Sequence, residues 1–286
     1  MRYGCQSMTG RIERVLVKHP REAYVNDETL RAQWQGLNYS ACPDYDKAVT
    51  EFEGFVDLLK RFIPEIHYLP EDVRVTVDSI YAHDSVIITA RGAILCNMTR
   101  EQRRYEPAAM NDFLPELGIP VLGVIKDEGR LECGDVVWID ERTLSVGRGR
   151  RTNNEGIRQL RQLVQDFVAE LIVVDLPDEV FHLMGIISLI DENLAVINST
   201  MLPKSFREWL IRRGFELLSV PPAESQTLAC NILTLAPRQC ILLSGNPQTQ
   251  DILTNKSIEV LTYSGDEISL KGSGGPTCLT RPLLRV

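Results

Sequence analysis

Hydrophobic positions in this chain fall into short runs that pair across turn-forming residues. Four such pairs predict β-hairpins, because each couples two β-rich runs through a short turn. The turn centres lie near residues 91, 141, 192 and 238, so the pattern repeats about every 50 residues, enough for one supersecondary unit each. The predicted hairpins join 85–89 to 93–96, 135–139 to 143–146, 186–190 to 194–197, and 232–235 to 240–243.

Amphipathic stretches follow these hairpins and predict helices. One of them, 154–170, places Ile157, Leu160 and Leu163 on one face at helical spacing. A single apolar run of strand length comes after each helix, so the predicted module is ββαβ. The other predicted helices are 45–62, 205–213 and 248–255, and the single strands are 65–68, 120–125, 171–175, 216–220 and 259–263.

The first module has only one strand before its helix, at residues 12–18, and another strand is predicted at 279–286. We expect these two strands to pair, which closes five modules into a ring with adjacent termini. The alternative is two unrelated α/β domains. No linker rich in Gly, Ser or Pro divides the chain, so residues 1–286 are predicted to form one domain.

Composition excludes several classes of protein. The 286 residues are 44% hydrophobic and 24% charged, which are ordinary globular proportions. A net charge of −8 argues against a nucleic-acid partner. No apolar run reaches the length of a membrane span, and the N-terminus lacks the apolar core of a signal peptide, so a cytoplasmic protein is expected. Seven cysteines without a CxxC pair argue against a zinc ribbon, a thioredoxin site or an iron–sulfur cluster.

Chemically versatile residues occupy the same position in each repeat, just before or at the start of its hairpin. They are Asp84, Glu132, His182, Asn231 and Cys278, with spacings of 48, 50, 49 and 47 residues. In a five-fold arrangement such equivalent positions meet at the central axis. A carboxylate, a second acid, an imidazole and a thiol at one point are the parts of a nucleophilic catalytic site.

Each of these residues also has a purely structural interpretation. His182 alone would be a satisfied, partly buried histidine, and Cys278 a core thiol, although it follows a glycine-rich loop at 272–275 that would leave its sulfur approachable. The acids at 132 and 135 could simply belong to a solvated turn. The shared register favours the site, because coincidence would otherwise have to be invoked five times.

A second unusual feature is a group of arginines in loops after the hairpins. Arg148, Arg150 and Arg151 precede the predicted helix, and Arg103 and Arg104 occupy a comparable loop. They could form solvated turns beside a capped helix. The functional alternative is a guanidinium fork for a substrate carboxylate.

Five segments in chain order form a recognisable set of motifs: Asp78-x5-Asp84, then 131–135 (LECGD), 151–153 (RTN), 181–183 (FHL) and 274–278 (GGPTC). This set resembles the guanidine-modifying pentein superfamily, which contains dimethylarginine dimethylaminohydrolases, arginine deiminases, arginine dihydrolases and amidinotransferases. The resemblance covers essentially the whole chain. It implies an α/β fold, the pentein five-fold pseudo-symmetric α/β propeller of ββαβ modules, which agrees with the repeat.

The resemblance also implies a role for each matching residue. It makes Cys278 the nucleophile that attacks the guanidinium carbon, His182 the general acid/base, and Glu132 the acid that orients the substrate or the imidazole. No metal or organic cofactor is implied. The residues implied to bind substrate are Asp78 and Asp84 at the guanidinium nitrogens, Arg104 and Arg151 at the α-carboxylate, Leu37 in a flap at 34–39, and Asp135 of the LECGD motif.

Two positions depart from the family pattern. Cys133 stands where the family has glycine, which is tolerated unless that position needs a positive φ. Met184 stands where arginine deiminases carry an aspartate that holds unsubstituted guanidinium nitrogens. A methionine there fits a pocket for N-methyl groups, or else it belongs to the core.

The leading interpretation is therefore a cysteine-dependent hydrolase acting on arginine or N-methylated arginine. The resemblance implies a dimethylaminohydrolase that forms a covalent S-alkylthiouronium and yields citrulline plus an amine. An arginine dihydrolase, a deiminase or an amidinotransferase would use the same intermediate. The non-catalytic alternative is a ring-shaped binding protein on the same fold, a class without the Cys–His–acid set. The expected partner is a small-molecule substrate, with no nucleic acid or membrane, and homo-oligomer formation is left open.

Overall fold

The computed structural model describes residues 3–286, and its strands form five three-stranded sheets of one pattern. In every sheet the middle strand pairs antiparallel with one neighbour and parallel with the other. The strand orders are β15-β1-β2, β3-β4-β5, β6-β7-β8, β11-β10-β9 and β12-β13-β14. The strands are β1 Ile12–Val17, β2 Glu65–Tyr68, β3 Val86–Thr89, β4 Gly92–Leu95, β5 Val121–Val124, β6 Val136–Asp140, β7 Thr143–Arg148, β8 Glu170–Asp175, β9 Ile187–Asp191, β10 Leu194–Ile197, β11 Glu216–Ser219, β12 Leu233–Ala236, β13 Gln239–Leu243, β14 Glu259–Tyr263 and β15 Thr280–Arg285.

One helix in each module connects the middle strand to the parallel strand, as the ββαβ pattern predicts. Two shorter helices precede the helix of the first module. The helices are α1 Pro20–Ala23, α2 Asp27–Gln33, α3 Tyr45–Lys60, α4 Glu106–Leu117, α5 Asn154–Val164, α6 Lys204–Arg212 and α7 Pro247–Asn255. Across residues 3–286, every helix is too short or too polar to traverse a lipid bilayer.

Helix α5 shows how the sequence sets an element and where the prediction was wrong. The side chain of Asn153 caps the helix by accepting a hydrogen bond from the Gly156 amide, and Ile157, Leu160 and Val164 bury its apolar face. The helix ends at Val164, several residues before the predicted end at 170. Residues from Glu170 onward pair instead with β7 as strand β8, because the parallel ladder outweighs the remaining helical pattern.

The predicted pairing of the first and last strands is confirmed. Strand β1 runs antiparallel to β15, with Ile12 opposite Arg285 and Val17 opposite Thr280. This pairing supplies the first module with the hairpin partner that its own segment lacks. The five sheets therefore confirm five ββαβ modules, the first of which is built from both ends of the chain.

The hydrophobic core shows the same closure. The buried apolar side chains form five clusters, and each cluster joins two neighbouring sheets, with the fifth joining the last sheet to the first. Each sheet therefore buries both of its sides against neighbours, which excludes water from the space between modules. Representative pairs are Leu16 with Val86, Ile94 with Val136, Val137 with Ile187, Ile190 with Ile232, and Leu233 with Val15.

Candidate active site

The five residues in equivalent positions of the repeat meet in two linked groups. His182 Nε2 lies 2.8 Å from Glu132 Oε2, and His182 Nδ1 lies 4.0 Å from Asp84 Oδ1. Asn231 Nδ2 donates a hydrogen bond to Cys278 Sγ at 3.2 Å. Asp84, His182 and Cys278 line one cavity, so the two groups face each other. The structure thus brings together the side chains that the 47- to 50-residue spacing predicted to converge.

Short turns before the hairpins place these side chains, and the turn at Cys133–Asp135 shows why one glycine is needed. A Cβ at Gly134 would lie 2.7 Å from His182 Cγ and 2.8 Å from Asp84 Oδ1, so only glycine permits this approach. Cys133, by contrast, is not among the residues with positive φ. Its side chain is buried and accepts a hydrogen bond from Arg281 at 2.9 Å, so cysteine is tolerated at this position.

Glu132 is the fully buried centre of a charged group. Its Oε2 atom accepts hydrogen bonds from His182 and from Arg151 Nη1, the latter at 2.9 Å, and its Oε1 atom accepts one from the Thr99 amide. Burial opposes its charge, but the bond from His182 and the charge of Arg151 hold the pKa of Glu132 below its ordinary value. Glu132 is therefore a carboxylate and fixes the orientation of the imidazole.

His182 is correspondingly an imidazolium at neutral pH. Burial disfavours the protonated ring, yet the carboxylates of Asp84 and Glu132 prevail and raise the pKa of His182 to about 9. Asp84 remains charged in turn, because His182 and Arg103 keep its pKa below the usual range despite its burial. A protonated imidazole beside a reacting group can serve as a general acid.

Asp84 is held in place by a buried ion pair that continues away from the cavity. Arg103 Nη1 donates to Asp84 Oδ2 at 2.7 Å, and its other nitrogens donate to both carboxylate oxygens of Glu106 and to the Tyr81 carbonyl. Burial raises the pKa of Glu106 to about 7 despite this guanidinium. A guanidinium held by two acids is preorganised, so Asp84 presents its remaining oxygen in one direction.

Cys278 differs from the other described cysteines in its surroundings. Cys278 and Cys42 are the partly exposed cysteines of residues 3–286, and the other five are buried. A Cβ on Gly275 would lie 2.6 Å from the Asn231 side chain, so this glycine lets the loop bring Cys278 against that amide. Burial of the sulfur and the nearby Asp84 charge raise the pKa of the Cys278 thiol to about 12, so it is protonated in the free protein.

The cavity that holds these groups, called the first cavity below, has a volume of about 320 Å³ and carries charges of both signs. Asp78 and Asp84 supply carboxylates, and the exposed guanidinium of Arg150 lines the same wall as Arg151. Burial raises the pKa of Asp78, although Arg103 and Arg100 oppose the shift. A cation bound beside Asp78 would oppose this shift in the pKa of Asp78.

Two residues of the segment predicted as a flap line this cavity. Leu37 is buried and lines the cavity together with Asn38. The backbone carbonyl of Leu37 accepts a hydrogen bond from Arg100 Nη1 at 3.1 Å, and the same nitrogen lies 3.4 Å from Asp78 Oδ2. Arg100 therefore links the Leu37 backbone to the Asp78 carboxylate.

Two residues predicted to bind substrate do not line the cavity. Arg104 is solvent-exposed, pairs with Glu101 and lies 4.5 Å over the Tyr105 ring, because the turn at Glu101–Arg103 directs it outward. The arginines that do reach the cavity at this loop are Arg103, which was a candidate for the carboxylate fork, and Arg100, which was not predicted. The expectation for Arg104 is therefore wrong in geometry.

Asp135 lies behind the site rather than in it. It is fully buried, accepts hydrogen bonds from Thr152 Oγ1 at 2.6 Å and from the Leu183 amide at 3.0 Å, and burial raises its pKa to about 6. These bonds tie the Glu132 turn to the turn that follows His182. Asp135 is thus placed to position His182, which corrects its predicted contact with substrate.

Met184 satisfies parts of both interpretations. Its side chain is buried in the hydrophobic cluster between two sheets, with 5% of its surface exposed. It also lines a second cavity that reaches Cys278, but it does not line the first cavity with Asp78. Unlike the aspartate of arginine deiminases, it supplies no charge to a guanidinium.

Asp84, Glu132 and His182 have ligand atoms within 4.8 Å of one another, a spacing that could hold a metal ion. Arg103 and Arg151 already donate to these two carboxylates at 2.7 and 2.9 Å. A divalent cation would therefore be repelled by two fixed positive charges. The cluster suits proton transfer better than metal binding.

Comparisons with known structures agree with this architecture. A dimethylarginine dimethylaminohydrolase from Pseudomonas aeruginosa, complexed with citrulline, gives a TM-score of 0.78 at 22% identity, covering 95% of this chain and 99% of the other. The N-terminal domain of ArgZ, a cyanobacterial arginine dihydrolase, gives a TM-score of 0.79 at 17% identity, covering 96% and 97%. At these identities the likeness shows the fold.

The fold and the converging residues define a guanidine-modifying pentein. The sequence is 26% identical over 239 residues to the dimethylarginine dimethylaminohydrolase of Pseudomonas aeruginosa, covering 83% of this chain and 89% of the relative. A family model described as N,N dimethylarginine dimethylhydrolase, eukaryotic, matches residues 19–285. The chain belongs to the dimethylarginine dimethylaminohydrolase family and is a C–N hydrolase of guanidino groups.

Proposed function

We propose that this chain hydrolyses N-methylated arginine, releasing methylamine or dimethylamine and leaving citrulline. The observation that carries the proposal is the placement of Cys278 in the same cavity as an imidazolium at His182 and two carboxylates. Hydrolysis of a guanidinium through a covalent intermediate needs a nucleophile, an acid that protonates the leaving amine, and a negatively charged site that binds the cationic substrate. The dimethylarginine dimethylaminohydrolase relatives support the choice of substrate.

Substrate binding would activate the nucleophile. In the free protein Cys278 holds its proton, because the sulfur is buried next to Asp84. A guanidinium seated against Asp78 and Asp84 brings a positive charge to the sulfur and lowers the thiol pKa. The Cys278 thiolate therefore forms when the substrate is bound, and without substrate Cys278 stays an unreactive thiol.

The covalent steps follow from the positions of the two central groups. The Cys278 sulfur attacks the guanidino carbon, a C–S bond forms, and His182 protonates the methylated nitrogen as its C–N bond breaks. The amine departs and leaves an S-alkylthiouronium. His182, now neutral, removes a proton from water, and the resulting hydroxide adds to the carbon. Collapse of this adduct breaks the C–S bond and yields the ureido product.

The most direct test is a product assay on a panel of guanidino compounds. We expect N-methylated arginines to give citrulline and the corresponding methylamine, with arginine and agmatine turned over far less efficiently. Citrulline, ornithine, ammonia and methylamines are quantified separately by mass spectrometry. Release of ornithine and ammonia from arginine would instead establish an arginine dihydrolase, and transfer of the amidino group to an added amine would establish an amidinotransferase.

Arg151 is proposed to hold the substrate α-carboxylate, because it lines the first cavity with 14% of its side chain exposed and pairs with Glu132. Arg151→Ala is expected to raise KM for methylarginine about ten- to a hundred-fold, the value of one charge-assisted contact. Agmatine lacks the carboxylate, so its kcat/KM should change much less. Steady-state kinetics on both compounds measure this difference.

Arg104→Ala provides the matched control, since Arg104 is an exposed arginine outside the cavity. Its KM is expected to stay within about two-fold of the wild type, because exposed ion pairs contribute little. An equal loss for methylarginine and agmatine in Arg151→Ala would show that Arg151 acts only through Glu132. A large KM effect in Arg104→Ala would restore the sequence-based assignment.

A further inference from the structure

A second cavity, of about 240 Å³, also opens onto the reacting groups. It shares five wall residues with the first cavity, and these include the nucleophile, the histidine and Asp84. The two cavities therefore meet at the place where the guanidino carbon must lie. The shared residues are Asp84, Phe181, His182, Ser273 and Cys278.

The second cavity differs from the first in its chemistry. No arginine, and neither Asp78 nor Leu37, belongs to its described wall, so it offers no guanidinium for an α-carboxylate. Its wall combines apolar and polar side chains. Besides the shared Phe181, the apolar ones are Val180, Met184, Ile186, Met201 and Leu228, and the polar ones include Asn198, Asn231 and Thr277.

The mouth of the second cavity is polar and open. Glu179, Gly185 and Gln226 line it and are solvent-exposed, so a chain that enters from the reacting groups can extend toward water. Its 240 Å³ is many times the roughly 10–15 Å³ that one water-sized group needs. Dimethylamine has only three heavy atoms, so methyl groups alone leave most of this space unfilled.

We propose that the second cavity is a subsite for the substituent on the leaving nitrogen, and that the enzyme accepts arginines carrying unbranched N-alkyl groups longer than methyl. The inference rests on the proposed function and extends its substrate class. With the carboxylate end held in the first cavity, the substituted nitrogen faces His182 and its alkyl chain lies along Met184 and Met201. Contact with these apolar walls stabilises the chain by removing it from water.

The chemistry is unchanged by the longer substituent. The C–S bond to Cys278 forms, the bond between the guanidino carbon and the alkylated nitrogen breaks, and the proton of His182 goes to that nitrogen. A primary alkylamine leaves through the open mouth. Water then hydrolyses the thiouronium to citrulline, and the thiol and imidazolium are restored.

The test is a series of N-methyl-, N-ethyl-, N-propyl- and N-butyl-L-arginine, substituted on a terminal guanidino nitrogen, with citrulline and the released amine both quantified. In the wild type, kcat/KM for the butyl compound is expected to lie within about ten-fold of that for the methyl compound. A fall of more than a hundred-fold by the propyl compound would overturn the subsite.

Gly185→Leu adds a side chain at a residue that lines the second cavity. The substitution should be tolerated, because a Cβ at Gly185 meets no atom within 4 Å and its φ is not positive. This variant should lower the butyl-to-methyl ratio of kcat/KM at least ten-fold. Gln226→Trp, at an exposed rim position, should lower the same ratio without touching the core. Gly54→Leu is the control, since Gly54 lies on helix α3 with open space around it and should leave the ratio unchanged.

The outcomes separate this inference from the proposed function. Turnover of methylarginine with no turnover of longer homologues leaves the proposed function standing and refutes the subsite. An unchanged butyl-to-methyl ratio in both Gly185→Leu and Gln226→Trp would also refute it. Absence of citrulline from every compound, including methylarginine, would refute the proposed function itself.

Discussion

Cys278→Ser is expected to lower kcat on methylarginine by at least about 10⁴-fold, the order of effect seen when a covalent nucleophile is removed. A hydroxyl is a much weaker nucleophile than a thiolate, and the bound cation cannot ionise it at neutral pH. The change is nearly isosteric, so the fold should be kept, with Tm shifted by no more than about 3 °C. Single-turnover kinetics and thermal unfolding measure the two quantities.

Cys42→Ser is the matched control, because Cys42 is the other partly exposed cysteine among the described residues. It should retain wild-type kcat. Intact-protein and peptide mass spectrometry after an acid quench should locate the thiouronium on the peptide that contains Cys278. An adduct on another cysteine, or full activity in Cys278→Ser, would contradict the proposed mechanism.

His182→Gln is expected to reduce kcat about 10²- to 10⁴-fold, the usual contribution of a general acid/base. Glutamine can still bond to Glu132, so the turn should be preserved, but it cannot protonate the leaving amine. A substrate with a better leaving group, such as a thiol in place of the amine, needs no such proton. In His182→Gln, kcat on such a substrate should fall far less than kcat on methylarginine. An equal fall for both leaving groups would argue for a structural role of His182.

The pH dependence of kcat/KM provides a second readout of His182. The resting protein carries two protons, on His182 with a pKa of about 9 and on Cys278 with a pKa of about 12. The reactive form, imidazolium with thiolate, carries one proton fewer, and the first proton is lost near pH 9. Wild-type kcat/KM should therefore rise about ten-fold per pH unit below pH 9 and level off above it.

In His182→Gln the thiol is the first of these groups to titrate, so the rise should continue beyond pH 9. Initial rates between pH 6 and about 10.5, with stability checked at each pH, distinguish the two profiles. A wild-type rate that is flat from pH 6 to 9 would show that the free enzyme already holds the thiolate. In that case His182 and Cys278 would form an ion pair before substrate arrives.

The convergence of the five equivalent residues could be predicted from sequence, because residues at the same place in each module of a closed ring lie near its axis. Asp84 and Cys278 are far apart in the chain, yet each starts a hairpin of its own module, so five-fold closure places both at the axis. The same reasoning identified the partner of β1. Neither inference needed the conformation of any loop.

Arg103 and Arg104 could not be assigned in this way, because the directions of their side chains depend on one short turn. A 3₁₀ turn advances about 120° per residue, so neighbouring side chains point apart. Arg103 is directed into the buried ion pair with Asp84, and Arg104, the next residue, stacks on Tyr105 in solvent. Both positions carry arginine, so the residue type does not distinguish them. The backbone conformation of the turn determines which side chain points toward the site.

Helix α2 near the flap was missed for a related reason. It spans only Asp27–Gln33, and seven residues give less than two full turns of periodic signal. One residue of this helix, Leu30, is fully buried. The helix is stabilised instead by the Asn26 cap and by packing that joins distant parts of the chain, neither of which a local pattern reveals.

The antiparallel pair of β1 and β15 also determines how the site responds to fraying. Its outer end is the pair Ile12 and Arg285, and its inner end is Val17 and Thr280, two residues from Cys278. Backbone hydrogen bonds between Arg11 and Val286 continue this ladder beyond its outer end. Unzipping from the outer end must therefore break the whole ladder before it loosens the nucleophile. The Cys278 sulfur therefore lies beside the inner end of the strand pair that closes the ring.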